Sequence, residues 1–308
     1  MHFFGTIIVL NVIRFIRGSV ECTGMRRVIL TLMAAQPFEI PAHEGYQIYS
    51  SLLGLLKDSS PEVSQRIHDS TITLISLGSL QGPFRRADRA NHKQVVPHEL
   101  YRLRIGITDP HDDEIFHHLV LPLLTDRKEL PLYRGSLAIE QIEDRIISIE
   151  DLKHHITPYT RPSIDFEFVT PTCIQYRNSR VTEMFPHRIA VFHSLLSKWN
   201  QVLPAEAHLG MDRDDFGRYL IERPDIRRFA TYSVQVNTVI DHKKGHPRPI
   251  FKQGFVARCR YSFTSDASEG FKNATLLLAE FAELSGVGSS VARGCGQVNV
   301  TIQDGANE

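Results

Sequence analysis

Between residues 286 and 296 the chain places four glycines, Gly286, Gly288, Gly294 and Gly296, with Arg293 among them. Glycine reaches positive φ without steric cost and lets another backbone come close. Successive peptide N–H groups in such a turn, together with a guanidinium, suit the oxygens of a phosphate. The turn follows an apolar run at helical spacing (Ala274, Leu277, Leu278, Phe281) and precedes the strand-like Val298-Asn299-Val300-Thr301-Ile302. It therefore runs from helix to strand, whereas a dinucleotide fingerprint runs from strand to helix, and no Gly-Lys-Ser/Thr closes it as in a Walker A loop. Two uses remain open: contact with a phosphate, or a tight connection.

A second constellation is cationic. From 242 to 260 the chain carries Lys243, Lys244, Arg248, Lys252, Arg258 and Arg260 with no Asp or Glu. Strand alternation sets Arg258 and Arg260 on one face, and 243–249 reads as the tip of a hairpin. Such a tip neutralises phosphates and reaches a groove of structured RNA; the plain alternative is a solvated loop. Arg85, Arg86, Arg89 and Lys93 form a weaker cluster, offset by Asp88, in what reads as a flexible loop.

The fifteen histidines offer proton-transfer chemistry, because imidazole titrates near neutrality. His111 and His118 lie two helical turns apart beside Asp112, Asp113 and Glu114. No sustained ligand spacing follows, and acidic residues are expected at a helix start, so neither a metal site nor a cofactor is expected. His154-His155 falls in what reads as a polar linker, and Trp199, beside Leu195 and Leu196, reads as core. Cys22, Cys173, Cys259 and Cys295 show no CxxC or regular spacing. That argues against a zinc or disulfide framework and fits a reducing cytoplasm.

The chain of 308 residues is 42% hydrophobic with zero formal net charge, enough for one large or two ordinary domains, with any nucleic-acid footprint confined to local clusters. The apolar run at 3–13 is too short to span a bilayer and lacks a leading basic region. Residues 1–24 therefore read as an upstream extension outside the fold, with Met25 entering the first strand. Strands are expected over 27–33, 72–80, 100–107 and 136–142, and helices over 45–57, from Pro61 to near His68, and over 112–124. After the proline-bearing connector 157–162, strands follow over 164–169, 230–240, 254–263 and 298–302, with helices over 187–199 and 269–284. The fold class is α+β: two β-α-β-β-α-β halves imply tandem ferredoxin-like domains over 25–156 and 163–303.

Four segments occur in a telling order. They are Ile164-Asp165-Phe166-Glu167-Phe168-Val169-Thr170-Pro171-Thr172, the stretch from Phe185-Pro186-His187 to Lys198-Trp199-Asn200, Lys252-Gln253-Gly254-Phe255-Val256-Ala257-Arg258-Cys259-Arg260-Tyr261, and the glycine-rich turn ending in Gln297. Together they resemble the CRISPR precursor-RNA processing endoribonucleases of the repeat-associated (RAMP) superfamily, over about 25–302.

The resemblance implies metal-independent cleavage of CRISPR repeat RNA. A base takes the proton of a 2′-hydroxyl, which attacks the adjacent phosphorus; an acid protonates the leaving 5′-oxygen, and a 2′,3′-cyclic phosphate remains. It implies precursor RNA and crRNA as partners, with effector-complex subunits a further possibility. Relatives carry their catalytic histidine after the short second helix, the slot filled here by His68. The relatives' tyrosine slot falls at Leu53, and no lysine follows His68, so Tyr49, Lys57 and Arg66 are secondary candidates. Ser289-Ser290 and Ala292-Arg293 stand where many relatives have Lys-Thr, which gives Arg293 a charge to supply. The alternative within the superfamily is a subunit that binds repeat RNA without cutting. A nucleotide-using small-molecule enzyme is the third reading, weakened by the missing dinucleotide fingerprint.

Overall fold

The computed structural model describes residues 24–69, 74–108, 115–120, 122–123, 129–156, 159, 161–175, 179, 181–240 and 245–304. The first half contains β1 (Met25–Met33), β2 (Phe38–Pro41), α1 (Gly45–Ser59), α2 (Pro61–Asp69), β3 (Ile75–Leu77), β4 (Phe84–Arg86), β5 (His92–Val95), β6 (Leu100–Ile107), β7 (Leu130–Leu132), β8 (Gly135–Ile147) and α3 (Ile149–Ile156). The second contains β9 (Pro162–Thr172), β10 (Ile174–Gln175), β11 (Thr182–Glu183), α4 (Arg188–Val202), α5 (Arg213–Tyr219), β12 (Leu220–Pro224), β13 (Ala230–Ile240), β14 (Pro247–Phe263), α6 (Glu269–Ser285) and β15 (Val298–Asp304).

The first sheet runs β3-β6-β1-β8-β7 and the second β12-β14-β9-β15, with β13 paired to β14. In each, the fourth, first, third and second strands of a β-α-β-β-α-β unit lie side by side. Both halves are thus ferredoxin-like, as the element order predicts. The strand in the second position of the second half is β12, which the sequence reading leaves unassigned; β13 instead forms a long hairpin with β14. Of the cluster at Arg85–Lys93 only Arg89 stands in a loop, the turn between β4 and β5, while Arg85, Arg86 and Lys93 stand on strands. β4 and β5 join β2 in a separate three-stranded sheet. His154 and His155 belong to α3 rather than to a linker.

Amphipathic spacing explains the helices. α1 buries Ile48, Leu52 and Leu56, three positions at i, i+4 and i+8. α4 buries Val191, Phe192, Leu195, Leu196, Trp199 and Val202, and the Trp199 indole donates to the Ala207 carbonyl at 2.8 Å. α6 starts on Ser268, whose hydroxyl accepts from the Phe271 N–H at 3.2 Å. Of the helix expected over 112–124, residues 112–114, 121 and 124 lie outside the described residues, and 116–120 form a π-helical turn. Of the strand expected over 72–80, only Ile75–Leu77 is observed, with 72 and 73 outside the described residues. All of the N-terminal segment 1–24 except Gly24 also lies outside them. Among the described residues no helix is long and apolar enough to cross a membrane.

Candidate functional site

The glycine-rich turn is built by backbone contact. Gly286, Gly288, Gly294 and Gly296 all have positive φ, from 63° to 80°. A Cβ on Gly294 would lie 2.6 Å from the Gly45 Cα at the start of α1, and one on Gly296 would collide with the Val287 carbonyl. The room left by these glycines is filled by the protein's own main chain. The turn's N–H groups are engaged as well. Those of Val287, Ser289 and Gly296 bond the carbonyls of Gly296, Cys173 and Pro171, and that of Gly288 bonds the Ser194 hydroxyl. Those of Gly294, Cys295 and Gln297 bond the Val291 carbonyl, the Ser290 carbonyl and the Thr170 hydroxyl. The peptide cradle expected from the sequence is therefore engaged at these positions, and the Arg293 side chain is the turn's charge for an anion.

Two residues outside the expected set hold the turn. Gln297 is buried, and its side-chain oxygen accepts from the Ser79 N–H at 2.8 Å, tying the second domain to the first. Lys198 on α4 donates from Nζ to the carbonyls of Ser285 (3.2 Å) and Gly286 (2.9 Å), at the end of α6. A cation there complements the helix dipole. Lys198 is half-buried as a whole, but its amine is enclosed, and burial draws its pKa down to about 7. The two acceptor carbonyls oppose that shift by favouring the ammonium.

Arg293 reaches the first domain. Its guanidinium lies 5.5 Å from the centre of the Tyr49 ring on α1. Burial raises the Tyr49 phenol above its ordinary pKa, with Arg293 opposing the shift, so the phenol is a hydrogen-bond donor at neutral pH. Lys57 is exposed in the last turn of α1, and Arg66 is exposed on α2. His68 is in α2, which packs on α1 through the Ser64 hydroxyl and the Leu53 carbonyl at 3.3 Å. The His68 side chain lies outside the described residues.

The cationic cluster divides into paired and unpaired groups. Arg258 and Arg260 share a strand face, as alternation predicts, but Arg258 is bound to Glu167 and Arg260 to Asp165 at 2.8 Å across the β14–β9 pair. Arg248 is exposed, and Lys252 donates to the Ser289 hydroxyl of the glycine-rich turn at 3.0 Å. No carboxylate pairs with Arg248, Lys252 or Arg293 among the described residues. Lys243 and Lys244 lie outside those residues. Cys173 and Cys295, far apart in sequence, meet under the turn as free, buried thiols in one small apolar cluster. Among the described residues no three His, Cys, Asp or Glu side chains converge as metal ligands.

Between the two domains opens a cleft of about 190 Å3, walled by His43, Glu44, Ser79 and Lys93 on one side and by Thr170, Gln235 and Arg293–Cys295 on the other. Glu44 is buried, accepting from the Leu80 N–H (2.6 Å) and pairing with Lys93 (2.9 Å). His43 has open surface, yet surrounding protein lowers its pKa by desolvation, leaving it neutral at pH 7. No sequence pattern singles out His43; its place before α1, against the glycine-rich turn, becomes visible only in the fold.

Residues 166–298 match the family model described as CRISPR-associated endoribonuclease Cas6. The likeness is to Cas6. In fold the chain is similar to a Cas6 product complex at 22% identity and TM-score 0.66, over 91% of this chain and all of the other. Thermus thermophilus Cas6 matches at 19% identity and TM-score 0.60, over 90% and 98%. A RAMP protein described as binding different RNA substrates matches at 13% and 0.58, over 90% and 99%. A comparison with curated proteins gives no match. The resemblance to CRISPR-associated RAMP proteins read from the four segments is borne out, by the Cas6 family model over the second domain and by Cas6 folds over nine-tenths of the chain.

Proposed function

We propose that this chain is a metal-independent endoribonuclease that cuts CRISPR repeat RNA in the cytoplasm and hands on the guide crRNA, with effector-complex subunits as later partners. The observation that carries the reading is the reach of Arg293 from the glycine-rich turn to Tyr49, on the helix that precedes the His68 helix. This brings a cation without a carboxylate partner to the domain that bears the proton-transfer candidate. His68 moves the proton of the attacking 2′-hydroxyl or of the leaving 5′-oxygen, and either job suits an imidazole. Tyr49, protonated at neutral pH, donates to a phosphate oxygen, and Arg293 stabilises charge growing on the phosphorane. Lys57 and Arg66 stand on the two helices as further cations. Lys243, Lys244, Arg248 and Lys252 hold the RNA backbone along the hairpin, and Arg258 and Arg260 contribute to the extent that RNA displaces their carboxylates.

The test is chemical. Purified protein, incubated in EDTA with a matching repeat RNA, should yield a product ending in a 2′,3′-cyclic phosphate. A single 2′-deoxy nucleotide at the cut site should abolish cutting, because the internal nucleophile is gone. Cutting that needs added metal sinks the mechanism. Tight binding without cutting favours the non-catalytic RAMP subunit instead.

A further inference from the structure

Two thiols that the cleavage chemistry does not use come together beneath the glycine-rich turn. Cys173 follows the end of β9, and Cys295 stands between Gly294 and Gly296. The main chain brackets them. The Ser289 N–H bonds the Cys173 carbonyl at 2.8 Å, and the Gly296 N–H bonds the Pro171 carbonyl at 3.1 Å. That same Pro171 oxygen accepts from the Cys173 thiol at 3.9 Å, so the Cys173 sulfur and the peptide joining Cys295 to Gly296 share one acceptor. Room for the sulfur comes from Gly254 on β14, where a Cβ would lie 2.9 Å from the Cys173 Sγ. With Val234 and Val236 the two cysteines form one buried cluster, and both are free. Most buried thiols are inert, because burial disfavours the thiolate; Cys259, pushed up to about 12 by burial, is of that kind. Cys173 differs. The Cys295 thiol beside it, and then the Lys252 ammonium, draw its pKa below the ordinary value against the opposing effect of burial. Lys252 is anchored there by the Ser289 hydroxyl, which itself donates to the Cys173 carbonyl at 2.9 Å. Cys295 in turn lines the interdomain cleft, the route by which a water-sized reagent arrives.

We propose that Cys173 and Cys295 are a peroxide-sensitive dithiol, which closes into a disulfide and clamps the glycine-rich turn to the end of β9. The Cys295 sulfur attacks one oxygen of hydrogen peroxide and breaks the O–O bond; its thiol proton joins the departing hydroxide as water, leaving a sulfenic acid. The Cys173 thiolate then attacks that sulfur. The S–O bond breaks, and the hydroxide leaves as a second water with the proton that Cys173 had released. Two thiols are oxidised and one peroxide is reduced to two waters. A dithiol reductant reverses the bond by exchange. Gly294 abuts Gly45 and Arg293 reaches Tyr49, so the clamped segment is the one that seats the second domain on the first. Neither sulfur takes part in RNA cutting, so the dithiol holds whether or not the chain is a nuclease.

The test uses the full chain. Reduced protein is titrated with hydrogen peroxide, blocked with iodoacetamide in urea and digested for mass spectrometry. A peptide pair joined through Cys173 and Cys295 should appear, lighter by two hydrogens than the free peptides, while Cys259 is recovered alkylated. Dithiothreitol should restore both thiols. Amide hydrogen exchange reads the clamp: exchange across 286–296 should slow about tenfold in the oxidised protein and return to its reduced rate with dithiothreitol. Cys173→Ser and Cys295→Ser should each abolish the linked peptide and the slowing. The linked peptide is read in the wild type, so it does not depend on either variant folding. The dithiol is overturned if both thiols stay alkylatable, if peroxide carries them to sulfinic or sulfonic acids, or if the pair links only in protein already unfolded. Pairing of either sulfur with Cys22 or with a second molecule overturns it equally. A linked pair whose turn still exchanges at the reduced rate overturns the clamp.

Discussion

Gly45 and Gly294 meet backbone to backbone: a Cβ built on Gly45 would lie 2.5 Å from the Gly294 Cα. Two glycines almost 250 positions apart thus seat the turn of one domain on the first helix of the other. In an ordinary helix Gly→Ala stabilises by about 1 kcal/mol. Here Gly45→Ala should reverse sign and destabilise by about 1–3 kcal/mol, through a close contact that cannot relax. Urea denaturation gives the answer, and a more stable Gly45→Ala protein would refute the contact.

The division of cations into paired and unpaired makes a second prediction. Replacing Arg248 and Lys252 together with Gln should weaken RNA binding and flatten its dependence on salt by up to about two in log–log slope. Replacing Arg258 and Arg260 should do less, because Glu167 and Asp165 already neutralise them. Affinity measured across a potassium chloride series distinguishes the pairs, and equal effects would show that RNA displaces the carboxylates.

Much of this was legible in the sequence because it is periodic or local. The stripe of Ile48, Leu52 and Leu56, the alternation that buries Phe166 and Phe168 on β9, and the glycines at positive φ all follow from short-range pattern. β12 was not legible, since Leu220–Pro224 carries Glu222, Arg223 and Pro224 in five residues and shows no apolar alternation. Nor was the neutralisation of Arg260 by Asp165, 95 positions away. The glycine-rich turn reads as a phosphate cradle when its N–H groups are taken as free. Their partners, Pro171, Cys173 and Ser194, are long-range and emerge only from the fold.

Lys198 carries a pH prediction. The unfolded lysine titrates near 10.5 and the folded one at about 7. Between those values the unfolded chain holds a proton that the folded chain has shed. The stability contribution is therefore present above about 10.5 and is lost as pH falls toward 7. Lys198→Met lacks this term. The stability difference, wild type minus Lys198→Met, should rise by up to about 3 kcal/mol between pH 7 and 9.5, less whatever the two acceptor carbonyls return to the ammonium. Denaturation midpoints at both pH values provide the measurement, and a difference that falls with pH contradicts the buried amine.

The last prediction concerns His68, within α2, which the proposed mechanism makes the proton-transfer group. His68→Ala should lower the single-turnover cleavage rate of repeat RNA by about 10²–10⁴-fold, the usual loss for a positioned acid or base. RNA affinity should change little, because an imidazole that moves a proton contributes to the transition state more than to binding. Measuring rate and affinity on the same RNA separates this role from a structural one, in which both fall together with the melting temperature. Arg293→Gln offers the contrast, since in the proposed mechanism its charge serves bound RNA and transition state alike, and both quantities should drop. Wild-type cutting by His68→Ala would remove His68 from the mechanism while leaving the nuclease reading intact.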